Sequence, residues 1–200
     1  AKSAEATAFA SFVNFVDNML LFYSLETNRY QGFKTGRDSV SGAIIKAGKT
    51  KEFEAFLNAN NVNLKLTEKE IDGELTLMAC YGNAEASFYR VASRGTKSLA
   101  LFFYWYIVME KASLVFIDEF DAFYHFELSE NIVKMLNKFE NVQIILTTHN
   151  TDLLSNDLLR PDCFFWLHDE KISSLADLTE KEIRKAHNLQ KMFKAGAFNV

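Results

Sequence analysis

Proline occurs once and glycine eight times in 200 residues, so neither a collagen-like repeat nor a flexible linker array is encoded. Cysteine is equally scarce. Cys80 and Cys163 are too few for a disulfide framework and form no CxxC metal knuckle. Both lie in apolar runs (LTLMACY and CFFWL) and are expected to be buried thiols of a reducing compartment. Neither sign of charge dominates: 22 Lys and Arg stand against 26 Asp and Glu, a net charge of −4. That balance argues against a polybasic coat for nucleic acid or membrane surfaces as the main business. The opening AKSAEATAF lacks the pattern of a signal peptide. The longest apolar run, residues 99–109 (LALFFYWYIVM), is bounded by Lys97 and Glu110. It is shorter than the about 20 residues a bilayer requires and reads as a buried helix. The expectation is a cytoplasmic chain with no membrane partner.

What is abundant is apolar and aromatic surface. Hydrophobic residues make up 48%, with 19 Phe, 7 Tyr and 2 Trp, enough to offset the entropy of ordering one domain or one lobe of a larger one. Over residues 4–25, Phe9, Phe12, Val13, Val16, Leu20 and Tyr23 recur at steps of three and four, predicting an amphipathic helix. Residues 28–41 read as loop, 52–60 as a short helix, and 63–66 with 73–81 as a hairpin that 86–92 would extend. Beyond Ser93 the pattern becomes strand, helix, strand, helix, strand, with buried strands at 113–117, 141–146 and 163–167. Thr179 and Glu182 are spaced as a capping box for a last helix that Gly196 would close.

Three short segments carry chemistry. In Leu114-Val115-Phe116-Ile117-Asp118-Glu119 an apolar strand runs into two acids, which must lie at its carboxyl end, because acids within it would be buried and unpaired. Ligands of open α/β sheets collect at that edge. A carboxylate there can hold Mg²⁺, and a second can deprotonate an attacking water. Two solvated acids capping a strand are the plainer alternative. In residues 142–149 a second strand ends in Thr147-Thr148-His149, about one βαβ crossover after the acids. An imidazole there can hydrogen-bond a terminal phosphate; taken alone, it is as well explained as a strand-end residue satisfied by backbone. Ser93-Arg94-Gly95-Thr96 precedes the long helix, where hydroxyls, amides and the helix dipole favour an anion, although an ordinary N-cap turn would look the same.

In this order the segments resemble the C-terminal half of ABC-type ATPases, in the soluble branch that includes SMC, RecF-like and overcoming-lysogenization-defect proteins. Ser93 to Thr96 resembles the shortened signature motif, Leu114 to Glu119 the Walker B strand, Asp121 in Phe120-Asp121-Ala122-Phe123-Tyr124-His125 the D-loop aspartate, and Thr147-Thr148-His149-Asn150 the switch-histidine loop. Leu159-Arg160-Pro161-Asp162 before an aromatic strand also recurs in that branch. The likeness covers residues 88 to about 198. It implies an α/β, P-loop NTPase fold with parallel strands flanked by helices over residues 88–200, and a helical and β-hairpin lateral insertion over 1–87. It also implies roles. Asp118 would hold Mg²⁺, Glu119 would be the general base, and His149 would touch the γ-phosphate of ATP. Asp121 would act across a dimer interface. Ser93, Gly95 and Thr96 would contact the γ-phosphate bound by the opposite subunit, so that hydrolysis requires a nucleotide-dependent homodimer. DNA, or a partner nuclease or effector, are further partners of such engines.

A G-x-x-x-x-G-K-[ST] phosphate loop is missing. The nearest approach, residues 42–50, has five residues between its glycines and reads as helix, turn, helix. With no initiator Met, the expectation is a later portion of a longer ATP hydrolase that is inactive alone. The competing reading is a degenerate ATPase-like module that only binds a partner. A zinc site on Asp121 and His125 lacks a third ligand at a helpful spacing, and His168 and His187 read as surface residues. Lys181, Arg184, Lys185, Lys191 and Lys194 alternate with acids, as on a solvated helix face, with a DNA-contacting stripe as the sharper alternative. The consecutive aromatics 102–106 point all round their helix and therefore belong to a core.

Overall fold

A computed structural model of the chain describes residues 4–23, 29–31 and 39–198. By packing, these fall into two units, one formed by Ala1–Tyr124 with Phe139–Thr147 and the other by His125–Lys138 with Thr148–Val200.

The first unit begins with α1 (Ala4–Asp17) and β1 (Met19–Tyr23). The helix is therefore shorter than the periodicity over residues 4–25 predicts. Asn18 stops it by donating from its side chain to the Asn14 carbonyl at 2.7 Å. The apolar run after it, which fits either period, goes extended because a sheet is there to pair it. None of the α1 residues is buried, and Phe9 and Phe12 are 69% and 63% exposed, against the expectation of a core-facing stripe. β2 (Arg29–Gln31) pairs antiparallel with β1, inside the stretch expected to be loop.

Helices α2 (Val40–Lys46) and α3 (Thr50–Ala59) follow, separated by a turn in which Gly48 adopts φ 68°. The near-phosphate-loop sequence is thus the expected helix, turn and helix. β3 (Lys65–Ile71), β4 (Glu74–Tyr81) and β5 (Ala84–Ser87) form an antiparallel sheet. Its first turn places Asp72 and Gly73 at φ 52° and 80°, the left-handed pair of a tight hairpin. Residues 88–91, expected to prolong the sheet, are instead the short helix α4 (Phe88–Val91).

The apolar run forms α5 (Arg94–Met109), which buries Leu99, Phe102, Phe103, Trp105 and Met109. Phe103 packs on Phe53 and Phe56 of α3 at 5.1 and 5.4 Å between ring centroids, and Trp105 packs on Phe22 of β1 at 4.5 Å. One helix thus packs against both α3 and the parallel-sheet strand β1. β6 (Leu114–Asp118) lies between β1 and β7 (Gln143–Leu146), parallel to both, in a sheet ordered β2-β1-β6-β7. Val115 and Ile117 are buried. β7 is less enclosed than expected, with Gln143 and Ile145 exposed.

The second unit contains α6 (Phe126–Leu136), whose Leu128, Ile132, Val133 and Leu136 are buried, and the hairpin of β8 (Phe165–His168) and β9 (Lys171–Ser174). Among the described residues β8 pairs only with β9, so it is not the third strand of a parallel sheet that the alternation predicts. The capping box also fails. Thr179 accepts from the Lys181 amide in a local turn, and the helix, α7 (Leu189–Lys194), starts later under an Asn188 cap. Asn156 accounts for this, because its side-chain amide donates to the carbonyls of Arg184 and His187 at 3.2 and 2.8 Å, oxygens a helix would use internally. Lys181, Arg184 and Lys185 are therefore not on a helix face. Gly196, at φ 67°, closes α7 as expected. Leu175, Leu178, Leu189 and Phe198 make the core of this unit, with Trp166 and Phe193 against it.

Neither cysteine matches its expected burial: Cys80 is half-buried and Cys163 exposed. His168 is half-buried rather than on the surface, whereas His187 is exposed as expected. No helix among the described residues is long and apolar enough to cross a membrane.

Phe22→Ala should lower the unfolding free energy by about 3–5 kcal/mol, since the ring is fully buried on a central strand. Phe12→Ser, on the uncovered face of α1, should change it by less than about 0.5 kcal/mol. Urea denaturation of both variants checks the contrast.

Candidate functional site

The ladder between β6 and β7 pairs Ile117 with Leu146, and on the other side β1 pairs Tyr23 with Asp118. Asp118 is consequently the last residue of its strand, half-buried, at the carboxyl end of three parallel strands. Glu119 follows in the left-handed region at φ 50°. That conformation is uncommon for a side chain other than Gly, Asn or Asp.

Thr147 holds this turn. Its amide donates to the Ile117 carbonyl at 3.0 Å, and its own carbonyl accepts from the Phe120 amide at 3.1 Å. Its hydroxyl donates to Asp118 Oδ1 at 2.6 Å and accepts from the Glu119 amide at 2.8 Å. The 2.6 Å separation is at the short end of the range for an O–H···O hydrogen bond. In the sequence Thr147 stands out only as a member of the Thr-Thr-His-Asn motif. Its position directly after an apolar strand, opposite an acid pair one crossover away, is the signal that marks it.

Beyond Glu119 the chain makes two tight turns, with the Ala122 amide on the Glu119 carbonyl and the Tyr124 amide on the Asp121 carbonyl, both at 3.0 Å. The Tyr124 hydroxyl donates to the Ser98 carbonyl at 3.2 Å, and the Arg94 guanidinium lies 4.9 Å from the centre of the Phe123 ring. Asp121 therefore belongs to a loop fastened onto the first turns of α5. Burial raises the Tyr124 hydroxyl well above the ordinary tyrosine range, so it stays a neutral donor.

Ser93 caps α5. Its Oγ accepts from the Thr96 amide at 3.1 Å and lies 2.9 Å from the Thr96 hydroxyl. Ser93 and Gly95 are exposed and Thr96 is buried. Among the described residues an added Cβ at position 95 would meet only Ser93 Oγ, at 4.0 Å, so none of them requires glycine there.

Asp118, Glu119 and Thr147 are thus brought together within the first unit, as are Ser93, Gly95 and Thr96. Thr148 and His149 open the last segment of the second unit, with His149 exposed. His125 is the N-cap of α6, its Nδ1 accepting from the Leu128 amide at 3.3 Å. No cluster of three or more His, Cys, Asp or Glu suited to a metal ion occurs among the described residues, so the zinc alternative gains no ligands. A site for Mg²⁺ needs fewer, since that ion is usually held by one or two carboxylates with waters and substrate phosphates. The hard oxygen donors at the end of β6 fit it.

Residues 82–155, 74 of the 200, match the model of a family described as "AAA domain, putative AbiEii toxin, Type IV TA system". The matched segment runs from the end of the β3–β5 sheet through α5, the acid pair and the Thr147 loop. The match marks this segment as similar to an AAA domain, and the parallel sheet fits a P-loop NTPase-like α/β fold. Comparison with curated proteins gives no match.

Ser93→Ala should cost about 1 kcal/mol through loss of the cap. Gly95→Ala should instead be neutral or stabilising by about 0.5 kcal/mol, since alanine is the better helix former. Thermal denaturation of the two variants separates a capping role from a packing role at this turn.

Proposed function

We propose that the chain is the later portion of an ABC-type ATPase of the SMC, RecF-like and overcoming-lysogenization-defect branch, which binds and hydrolyses ATP between two subunits. The observation that carries this reading is the acid pair at the end of a parallel strand, with Asp118 tied to Thr147 directly after the neighbouring strand. A solvated strand cap has no need of that tie.

In this reading Asp118 holds Mg²⁺, which when bound offsets the negative charge of the phosphate oxygens and fixes the terminal phosphate. Glu119 takes the proton of the attacking water. His149 donates a hydrogen bond to the γ-phosphate from the segment that follows Thr147. Ser93, Gly95 and Thr96 offer hydroxyls and amides at the start of α5 to the γ-phosphate held by a second copy, and Asp121 acts across the same interface. Within residues 1–87, α2, α3 and the β3–β5 sheet would form the lateral insertion, whereas β1 pairs directly with β6 in the parallel sheet and so belongs to the core rather than to the insertion. Residues 42–50 are occupied by two helices and the turn between them, so in this reading the amides and lysine that cradle the phosphates would be supplied by another segment. That same observation favours the second reading, a partner-binding module without hydrolysis. Against it stands the full use of Thr147 in positioning two acids that partner binding does not require.

The experiment joins the chain to a phosphate-loop segment and measures ATP turnover and mass by light scattering. The expected result is Mg²⁺–ATP-dependent dimerisation, with Glu119→Gln lowering turnover by at least about 100-fold while the dimer persists. The unjoined chain should turn over ATP negligibly. A joined protein whose mass and turnover ignore nucleotide would establish the module reading instead.

A further inference from the structure

We infer that Thr147 is the positioning residue of the acid pair: its single hydroxyl orients the Asp118 carboxylate toward a divalent cation and holds Glu119 in the left-handed turn that aims the second acid. The inference rests on the proposed metal role of Asp118 and adds to it the group on which that role depends.

A hydroxyl has one proton and can accept through its lone pairs. In Thr147 the proton is given to Asp118 Oδ1 at 2.6 Å, and a lone pair is taken by the Glu119 amide at 2.8 Å. The direction of each bond is forced. An amide can only donate, so the hydroxyl accepts from Glu119, and its proton is left for the carboxylate. Asp118 Oδ1 thereby accepts one hydrogen bond, which restrains the rotation of the carboxylate while leaving its remaining lone pairs for a cation. The same side chain restrains the φ 50° of Glu119, and the main chain of Thr147 closes the turn by accepting from Phe120 at 3.1 Å, with the Phe120 side chain buried. Thr147 is itself placed by the ladder bond from its amide to Ile117. The contacts needed to aim two acids therefore converge on the one residue that directly follows the neighbouring strand. Groups that orient a metal ligand in this way are commonly worth 10–100-fold in metal affinity.

The test uses the 200-residue chain with Mn²⁺ as the probe, followed by paramagnetic broadening of backbone amide signals in NMR, with amide hydrogen exchange on the same samples. In the wild type, Mn²⁺ should broaden the amides of residues 118–120, and the Glu119 amide should be protected from exchange. Asp118→Asn should abolish the broadening. Thr147→Val, and Thr147→Ala as a less crowded variant lacking the same hydroxyl, should weaken Mn²⁺ binding at least about tenfold and lose protection at Glu119. Thr147→Ser should restore both. Leu146→Ala, next to it on β7, should lower the thermal midpoint and leave Mn²⁺ binding unchanged, which a purely structural role for Thr147 would not allow. If Asp118→Asn weakens binding but Thr147→Val and Thr147→Ala do not, the inference is overturned and the metal role of Asp118 stands. If Asp118→Asn has no effect, both fall. An unprotected Glu119 amide in the wild type overturns the inference without reference to any variant.

Discussion

The ladder that holds β6 between two parallel partners decides where the chemistry of this chain can sit. Val115 and Ile117 are buried, which pins the register, because a slip of one residue would exchange the two faces of the strand. With the register fixed, Asp118 emerges opposite Tyr23 of β1 and one step past the pairing of Ile117 with Leu146. From there the ladder changes character rather than ending. The Thr147 amide still donates to Ile117 and the Thr147 carbonyl still accepts from Phe120, while between them the Glu119 amide is met by a hydroxyl. One side-chain oxygen replaces a backbone partner and in doing so reaches the acid beside it.

The phenylalanine-rich composition finds its purpose in α5. A helix with aromatic residues on consecutive positions cannot be amphipathic, and this one is not required to be. Phe103 meets Phe53 and Phe56, while Trp105 meets Phe22. The helix that carries Ser93, Gly95 and Thr96 at its start is therefore anchored along its length, and Tyr124 and Arg94 fasten the loop of Asp121 onto its first turns. Large interlocked rings resist small displacements, since an interior packed to crystal-like density leaves no room to slide. The candidate contacts at the start of α5 are thus mounted on a stiff support.

Much of this was legible in the sequence, and the failures share a cause. The acid-ended strand, the buried helix, the hairpin and the helix-turn-helix over residues 42–50 were readable because local pattern and tertiary demand agree there. Met19 to Tyr23 misled because five apolar residues fit either period, and the sheet edge offered by β6 decided the outcome. Thr179 and Glu182 misled because Asn156, distant in sequence, took the carbonyls a helix needed. The cysteines misled because apolar neighbours predict burial for a segment and not for each side chain within it; Cys163 lies in the turn before β8 and faces outward. At the site itself, residue types and spacing marked the two acids. The role of Thr147 was hidden, because one hydroxyl bridging two strands leaves no periodicity to read.

Glu119 is where the fold departs furthest from what stability alone would select. Among the described residues four other non-glycine positions adopt positive φ, and each has an ordinary excuse: Asn61 follows a helix end, Asp72 sits in a hairpin turn, and Asp169 with Glu170 form another. Glu119 lies in neither setting. It follows the carboxyl end of a parallel strand, where glycine would take the same φ without steric cost. A non-glycine residue held in such a region costs of the order of 1 kcal/mol and persists only where its surroundings over-determine it. Here the over-determination is visible in the two bonds to Thr147 that bracket the residue at its own amide and at that of Phe120. The chain thus spends hydrogen bonds to keep a carboxylate where a bare backbone would be easier to hold. A cost borne at one residue, next to an acid tied by the same threonine, is what a site with chemistry to perform would require, and a solvated strand end would not.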